Sequence, residues 1–257
     1  LWQTGRPGER NPHGWGGRIA DLMMSQNGNE NISMNITLSG NNFFQNGYNT
    51  SQYAISPSGS MGLNGYDMDY PYHQTRNLAI DNMLDREYAD IYEKTYADIF
   101  RKSKDGNAEY RAALDAVPEF STVFSQNELS QQFKMVAKTI AARQTLGFTR
   151  QTFFIDFRGW DHHDDTIIMQ AEKLPLLDTA LAEFNAVLKE LGVHNDVTTF
   201  TGSDFGRTLT SNGDGSDHAW GGNVMVMGGA VNGKNIFGEY PSLALNNELM
   251  LERGVMI

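Results

Sequence analysis

Residues 159–165 read Gly-Trp-Asp-His-His-Asp-Asp, a short loop holding five side chains able to bind a metal ion: Asp161, His162, His163, Asp164 and Asp165. Neutral imidazole and carboxylate are the donors that zinc, manganese or iron accept where thiolates are absent, and the chain has no cysteine. Alternate residues of an extended loop point the same way, so Asp161 and His163 can converge on one ion while His162 faces elsewhere. Taken alone, the loop reads equally well as a solvated acidic turn whose histidines cap a helix.

Two further loops carry ligand types. Asp204 lies in Gly202-Ser203-Asp204-Phe205-Gly206-Arg207, where its carboxylate suits a metal and the Arg207 guanidinium suits an anionic substrate group. An Asp204–Arg207 ion pair that merely orients the loop is the competing use. Asp217 and His218 lie in a Gly-rich run, 213–222, whose glycines let the backbone fold closely round an ion or else form a flexible turn with an exposed histidine. The three loops together argue more strongly than any one, because a dimetal centre draws its ligands from several strand ends.

His13, His73 and His194 lack such company, and His194 follows a helix end where a capping role is ordinary. Trp15 reads as a packing anchor, and Trp160 and Trp220 read as shields beside the ligands. Gly228-Gly229-Ala230 lacks the spacing of a dinucleotide site, and no Gly-x-Ser-x-Gly elbow is present.

The elements that must hold these loops fall into three stretches of a single expected domain, 1–257. Residues 1–75 are rich in Gly, Asn and Ser and read as loops and strands, among them the alternating, half-buried strand 32–38. Residues 76–147 read as helical, with Leu78, Met83, Leu84, Tyr88, Ile91 and Tyr92 near helical spacing. There Ser125-Gln126-Asn127-Glu128 forms a capping-box pattern opening a helix that Gly147 closes.

Residues 148–257 read as strand (151–157), polar loop, helix and strand (197–201), with a third strand at 223–227. Leu174, Leu177, Leu181, Phe184, Leu188 and Leu191 mark the core face of that helix and Gly192 its end. This order predicts a βαβ unit with parallel strands, placing Asp161 and Asp204 just past the carboxyl ends of neighbouring strands.

Composition narrows the partners. With 20 basic and 31 acidic residues the net charge is −11, which opposes binding to nucleic acid or to anionic membrane surfaces. The 40% apolar content of the 257 residues supplies a sizeable core, and no apolar run reaches the length of a membrane span. The chain opens on Leu1 without a Met and stops at Val255-Met256-Ile257, which reads as an internal portion of a longer protein or as a processed N-terminus.

The run from 129 to 243, with its GWDHHDD, TFTGSDFGRT, GSDHAWGG and VMVMGGAVNGKNIFGEYPSL segments, resembles the bacterial family called domain of unknown function 1501. The opening WQTG and GWGGRIADLM resemble the family's middle region, so nearly the whole chain is covered. The family is grouped with the alkaline-phosphatase-like superfamily of phosphatases, sulfatases and cofactor-independent phosphoglycerate mutases.

The resemblance implies a three-layer α/β/α sandwich with a mostly parallel sheet and two divalent ions at its carboxyl edge; zinc, manganese, iron, magnesium and calcium are not distinguished. It implies Asp161, His163, Asp204 and His218 as metal ligands, with His162 as a second choice; the loops themselves add Asp217 as another second choice and Arg207 as a contact for substrate anion. His162 stands where the family usually has Thr, which leaves His162 and His163 as alternatives. The superfamily's nucleophile comes from a first strand region, expected before Leu1. The implied activity is hydrolysis of small phosphate or sulfate esters by an exported or periplasmic protein. The alternative is an exported binding or assembly protein of the same fold with a structural metal or none.

Overall fold

The computed structural model describes residues 2–66, 68–239, 241–244, 247–251 and 255. Leu1, Tyr240 of the GKNIFGEY run, and Met256 and Ile257 of the terminal expectation lie outside the described residues. The fold is mixed α/β, with five α-helices and a four-stranded mixed sheet among the described residues. Two compact units form, one from Asn11–Glu119 and Lys138–Asp156, the other from Leu1–Arg10, Phe120–Ala137 and Phe157–Ile257.

The unit containing Asn11–Glu119 is built on strands β1 (Asn35–Thr37), β2 (Tyr53–Ser56), β3 (Gly59–Ser60) and β4 (Thr152–Phe154), in spatial order β3-β2-β1-β4. Strand β1 is central and parallel to both neighbours, with Ile36 opposite Tyr53 on one side and Phe153 on the other. Its alternating sequence predicts one wet face, yet all three residues are buried. The polar side chains tolerate this because each is satisfied. The Asn35 amide donates to the Gln45 carbonyl at 2.9 Å and accepts from Thr152 Oγ1 at 2.6 Å, while buried Gln45 donates to Ile36 O at 3.1 Å.

Helix α1 (Trp15–Met23) occupies a stretch expected to be loop and strand. Its glycines weaken helix propensity but permit contact: a Cβ on Gly17 would stand 2.1 Å from the Asn46 carbonyl carbon. Trp15 meets Phe44 edge-on at 4.6 Å, the expected packing role. Helices α2 (Pro71–Leu84) and α3 (Ile91–Asp115) follow, the second capped by Asp90, which accepts from Tyr92 N and Glu93 N. Of the apolar residues noted in this stretch Leu84 is buried, whereas Leu78, Ile91 and Tyr92 are exposed.

Helix α4 (Glu128–Ala141) opens on Asn127, whose Oδ1 accepts from Ser130 N at 2.9 Å. The cap is therefore Asn127 and not Ser125, because Ser125 is committed elsewhere: its N and Oγ both donate to Glu183. Gly147 adopts φ 69°, the left-handed conformation expected where the chain turns out of this helical stretch.

In the unit containing Phe157–Ile257, helix α5 (Thr166–Glu190) carries Pro175 inside it and ends before Gly192 at φ 70°. Only its C-terminal half is core: Ala180, Phe184, Val187 and Leu188 are buried, and Phe184 stacks on Phe133 at 4.8 Å, while Leu174 is half-exposed. Glu183 and Glu190 secure the 121–125 segment, Glu190 accepting from Ser121 N, Thr122 N and Thr122 Oγ1.

The expected βαβ unit does not form. Strand β4 pairs with β1, whereas β5 (Thr199–Phe200) pairs antiparallel with β8 (Val226–Met227) in a separate two-stranded sheet. Asp161 and Asp204 therefore do not follow neighbouring strands of one sheet. Periodicity marks an apolar strand but not its partner, and partner choice here is made by residues far away in sequence. The glycine-rich segments expected as loops instead form an antiparallel hairpin, β6 (Gly206–Ser211) with β7 (Ser216–Ala219), and Arg207 faces His218 across it.

Candidate metal centre

The β6–β7 hairpin and the 159–165 loop create the candidate site between them, within one unit. Arg207 and His218 are directly paired across the hairpin, so their side chains share a face. The hairpin turn, 212–215, holds the loop. Asn212 Nδ2 donates to the His163 carbonyl at 2.9 Å, Thr166 N donates to the Asp214 carbonyl at 3.3 Å, and a Cβ on Gly215 would stand only 2.1 Å from the His163 carbonyl oxygen. Asn212 Oδ1 in turn accepts from Asp214 N and Gly215 N, which fixes the turn.

On that face one oxygen gathers three nitrogens. Asp161 Oδ1 lies 2.8 Å from His218 Nε2, 3.1 Å from His163 Nε2 and 2.8 Å from Arg207 Nη2. The His218 hydrogen bond is the largest influence on the Asp161 carboxyl; desolvation opposes it, and with Arg207 and the nearby His163 adding to the bond the carboxyl is held below its ordinary value of 3.8. Asp161, His163 and His218 each offer a ligand atom within 4.8 Å of the others, and among the described residues they are the group of this kind. All three are about half exposed, so an ion could enter from solvent.

Donor types and spacing fit a divalent ion. Atoms held about 2.0–2.2 Å from a common ion in tetrahedral geometry stand roughly 3.3–3.6 Å apart. The two Oδ1–Nε2 separations of 2.8 and 3.1 Å would open by less than about 1 Å to reach that spacing. Each imidazole has a neighbour, though only one is in close contact. Phe205 stacks on His218 with centroids 3.8 Å apart and planes 11° from parallel, and Asp217 Oδ1 lies 3.8 Å from His163 Nδ1. At 3.8 Å the Asp217 carboxylate lies beside the His163 ring but beyond direct hydrogen-bond range.

The other expected ligands lie elsewhere. His162 points inward, buried, with Nε2 2.8 Å from the Gly159 carbonyl, so backbone alternation separates it from its neighbour. Asp204 is exposed and accepts from Trp2 Nε1 at 3.0 Å. Arg207 pairs not with Asp204 but with Asp161, and two carbonyls anchor it: Ser216 O at 2.7 Å and Trp160 O at 3.0 Å. Trp160 packs edge-on against Phe157 at 5.5 Å beneath the Lys173 ammonium, whereas Trp220 is exposed.

A family model spans residues 24–251, described as Protein of unknown function (DUF1501). The chain belongs to that family. No curated protein and no solved structure matches it. For this DUF1501 chain, sequence reading names Asp161, His163, His218, Arg207 and Asp217, but it misses Phe205 as the platform under His218 and Asn212 and Gly215 as the grip on the loop. The signal lay in Asn212-Gly213-Asp214-Gly215, turn residues between two short polar strands.

Proposed function

We propose that this DUF1501 protein is a metal-dependent hydrolase of small phosphate or sulfate esters, exported or periplasmic, of the alkaline-phosphatase-like superfamily with its three-layer α/β/α sandwich. The observation that carries the reading is the convergence of Asp161, His163 and His218, from segments 57 residues apart, on one point beside Arg207. These three side chains would hold one ion; the second that the superfamily implies needs ligands beyond this group. A bound divalent ion supplies Lewis-acid stabilisation of charge developing on a phosphoryl or sulfuryl oxygen.

The chain's own groups do the rest. Arg207, anchored on two carbonyls, presents a fork suited to a non-bridging oxygen. Phe205 holds the His218 imidazole in place, and the Asp217 carboxylate lies 3.8 Å from the His163 ring. No side chain among the described residues is assigned as nucleophile. The acidic surface makes nucleic acid an unfavourable partner, and no helix among the described residues is long and apolar enough to cross a membrane.

Turnover of an aryl phosphate and an aryl sulfate by wild type, lost in Asp161→Ala and His218→Ala, supports hydrolysis. Equal background rates in all three overturn it and favour the second reading, a non-catalytic binding or assembly protein with a structural metal or none. That reading draws on one observation: Asp161 already has a cationic partner in Arg207.

A further inference from the structure

We propose that Arg207 is the site's own cation, competing with a divalent ion for Asp161 Oδ1, so that metal entry exchanges the Arg207–Asp161 bond and turns the guanidinium into the free anion-binding group. The inference rests on the reading of Asp161, His163 and His218 as a metal site.

The geometry sets up the competition. The oxygen nearest both imidazole Nε2 atoms is the one Arg207 Nη2 occupies at 2.8 Å. An ion bound by that oxygen and those nitrogens would sit within a few ångströms of a permanent positive charge. Such a charge repels it, and the charge-assisted bond it holds must be surrendered.

The hardware for exchange is also present. Arg207 is the less exposed partner, 21% against 54% for Asp161. Two backbone carbonyls, Ser216 O and Trp160 O, hold it independently of the Asp161 side chain. The part that moves is therefore the carboxylate, and the guanidinium stays beside the site with an edge released. In this scheme the metal-free protein binds an anion poorly, because its arginine is neutralised from within, and the ion must bind first. Arg207 thus both binds the anion and sets the order of binding.

The experiment compares binding of Zn²⁺ and Mn²⁺ to wild type, Arg207→Gln and Arg207→Ala, each checked for a native unfolding transition. Gln retains polar reach to the two carbonyls without the charge, so it serves should Ala fail to fold. The expected result is about five- to tenfold tighter metal binding in the variants, set by the loss of one half-exposed charge-assisted bond. Guanidinium chloride at millimolar concentration should restore the weaker affinity in Arg207→Ala but not alter wild type, which a merely structural role would not produce. Unchanged or weaker metal binding in both variants overturns the exchange while leaving the metal site intact. No metal bound by any of the three proteins overturns the metal site and the exchange with it.

Discussion

Replacing Gly215 with Ala tests whether the hairpin turn assembles the site. Its new methyl carbon would stand 2.1 Å from the His163 carbonyl oxygen and 2.4 Å from its carbonyl carbon, where ordinary contact begins at 3.4 Å. Both sides of the clash are backbone, so no rotamer relieves it, and the turn and loop must part by about 1.3 Å. The His218–Asp161 separation, 2.8 Å in the native site, then leaves hydrogen-bonding and shared-ligand range. Overpacking of this kind costs about 1–3 kcal/mol, which, borne by the ligand cluster, is a loss of roughly 5- to 150-fold in metal affinity.

Gly213→Ala is the control. At φ 119° a side chain is strained, but nothing lies within 4 Å of its Cβ. It should therefore lose about 1–3 kcal/mol through the backbone alone and keep its metal affinity. Urea unfolding and metal titration of both variants separate the two effects. Wild-type metal affinity in Gly215→Ala, or an equal loss in Gly213→Ala, would refute the claim that the turn sets the ligand geometry.

Other perturbations follow from packing and charge. Phe184→Ala should destabilise the chain by about 3–5 kcal/mol in chemical denaturation, since Phe184 is buried against Phe133 at 4.8 Å; a loss under 1 kcal/mol would show that this contact is not core. Asp81 is held below 3.8 chiefly by its hydrogen bond from Lys104, at 2.8 Å, and also by Tyr66. A depressed carboxyl stabilises the fold above its unfolded value and loses that contribution as pH falls through the folded one. Asp81→Asn should thus cost less than about 1 kcal/mol at neutral pH for so exposed a pair, and the difference from wild type should start to shrink as pH falls through about 4 and vanish only below the lowered folded value. A difference that persists or grows in acid would contradict the assignment.

The parts of the molecule governed by local rules were legible in the sequence. The apolar spacing of α5, its closure at Gly192 and the left-handed Gly147 depend on neighbours a few residues away, and the structure has them. Strand partners depend on distant segments. Residues 151–157 read as a strand, but nothing in them indicates that Phe153 would pair with Ile36 and not with the strand after α5. Burial of β1 was hidden for a related reason: Asn35 and Thr37 look like a wet face until Gln45 and Thr152 supply their partners.

The site divides in the same way. Asp161, His162 and His163 are adjacent, so backbone alternation sorted them, but Asp204 was separated from the ligands by pairings that no local pattern encodes. The β6–β7 hairpin is the clearest case. Its Ser, Thr, Asp and His residues lack apolar alternation, and only the Asn-Gly-Asp-Gly turn signals that Arg207 and His218 will face one another.

Titration of metal-free protein with Zn²⁺ and Mn²⁺ asks the central question. Binding of about one ion per chain by wild type, weakened at least tenfold in Asp161→Asn and His218→Ala but unchanged in Asp204→Asn, is the expected outcome. An absence of binding, or equal binding in all four proteins, would contradict a metal centre built from Asp161, His163 and His218.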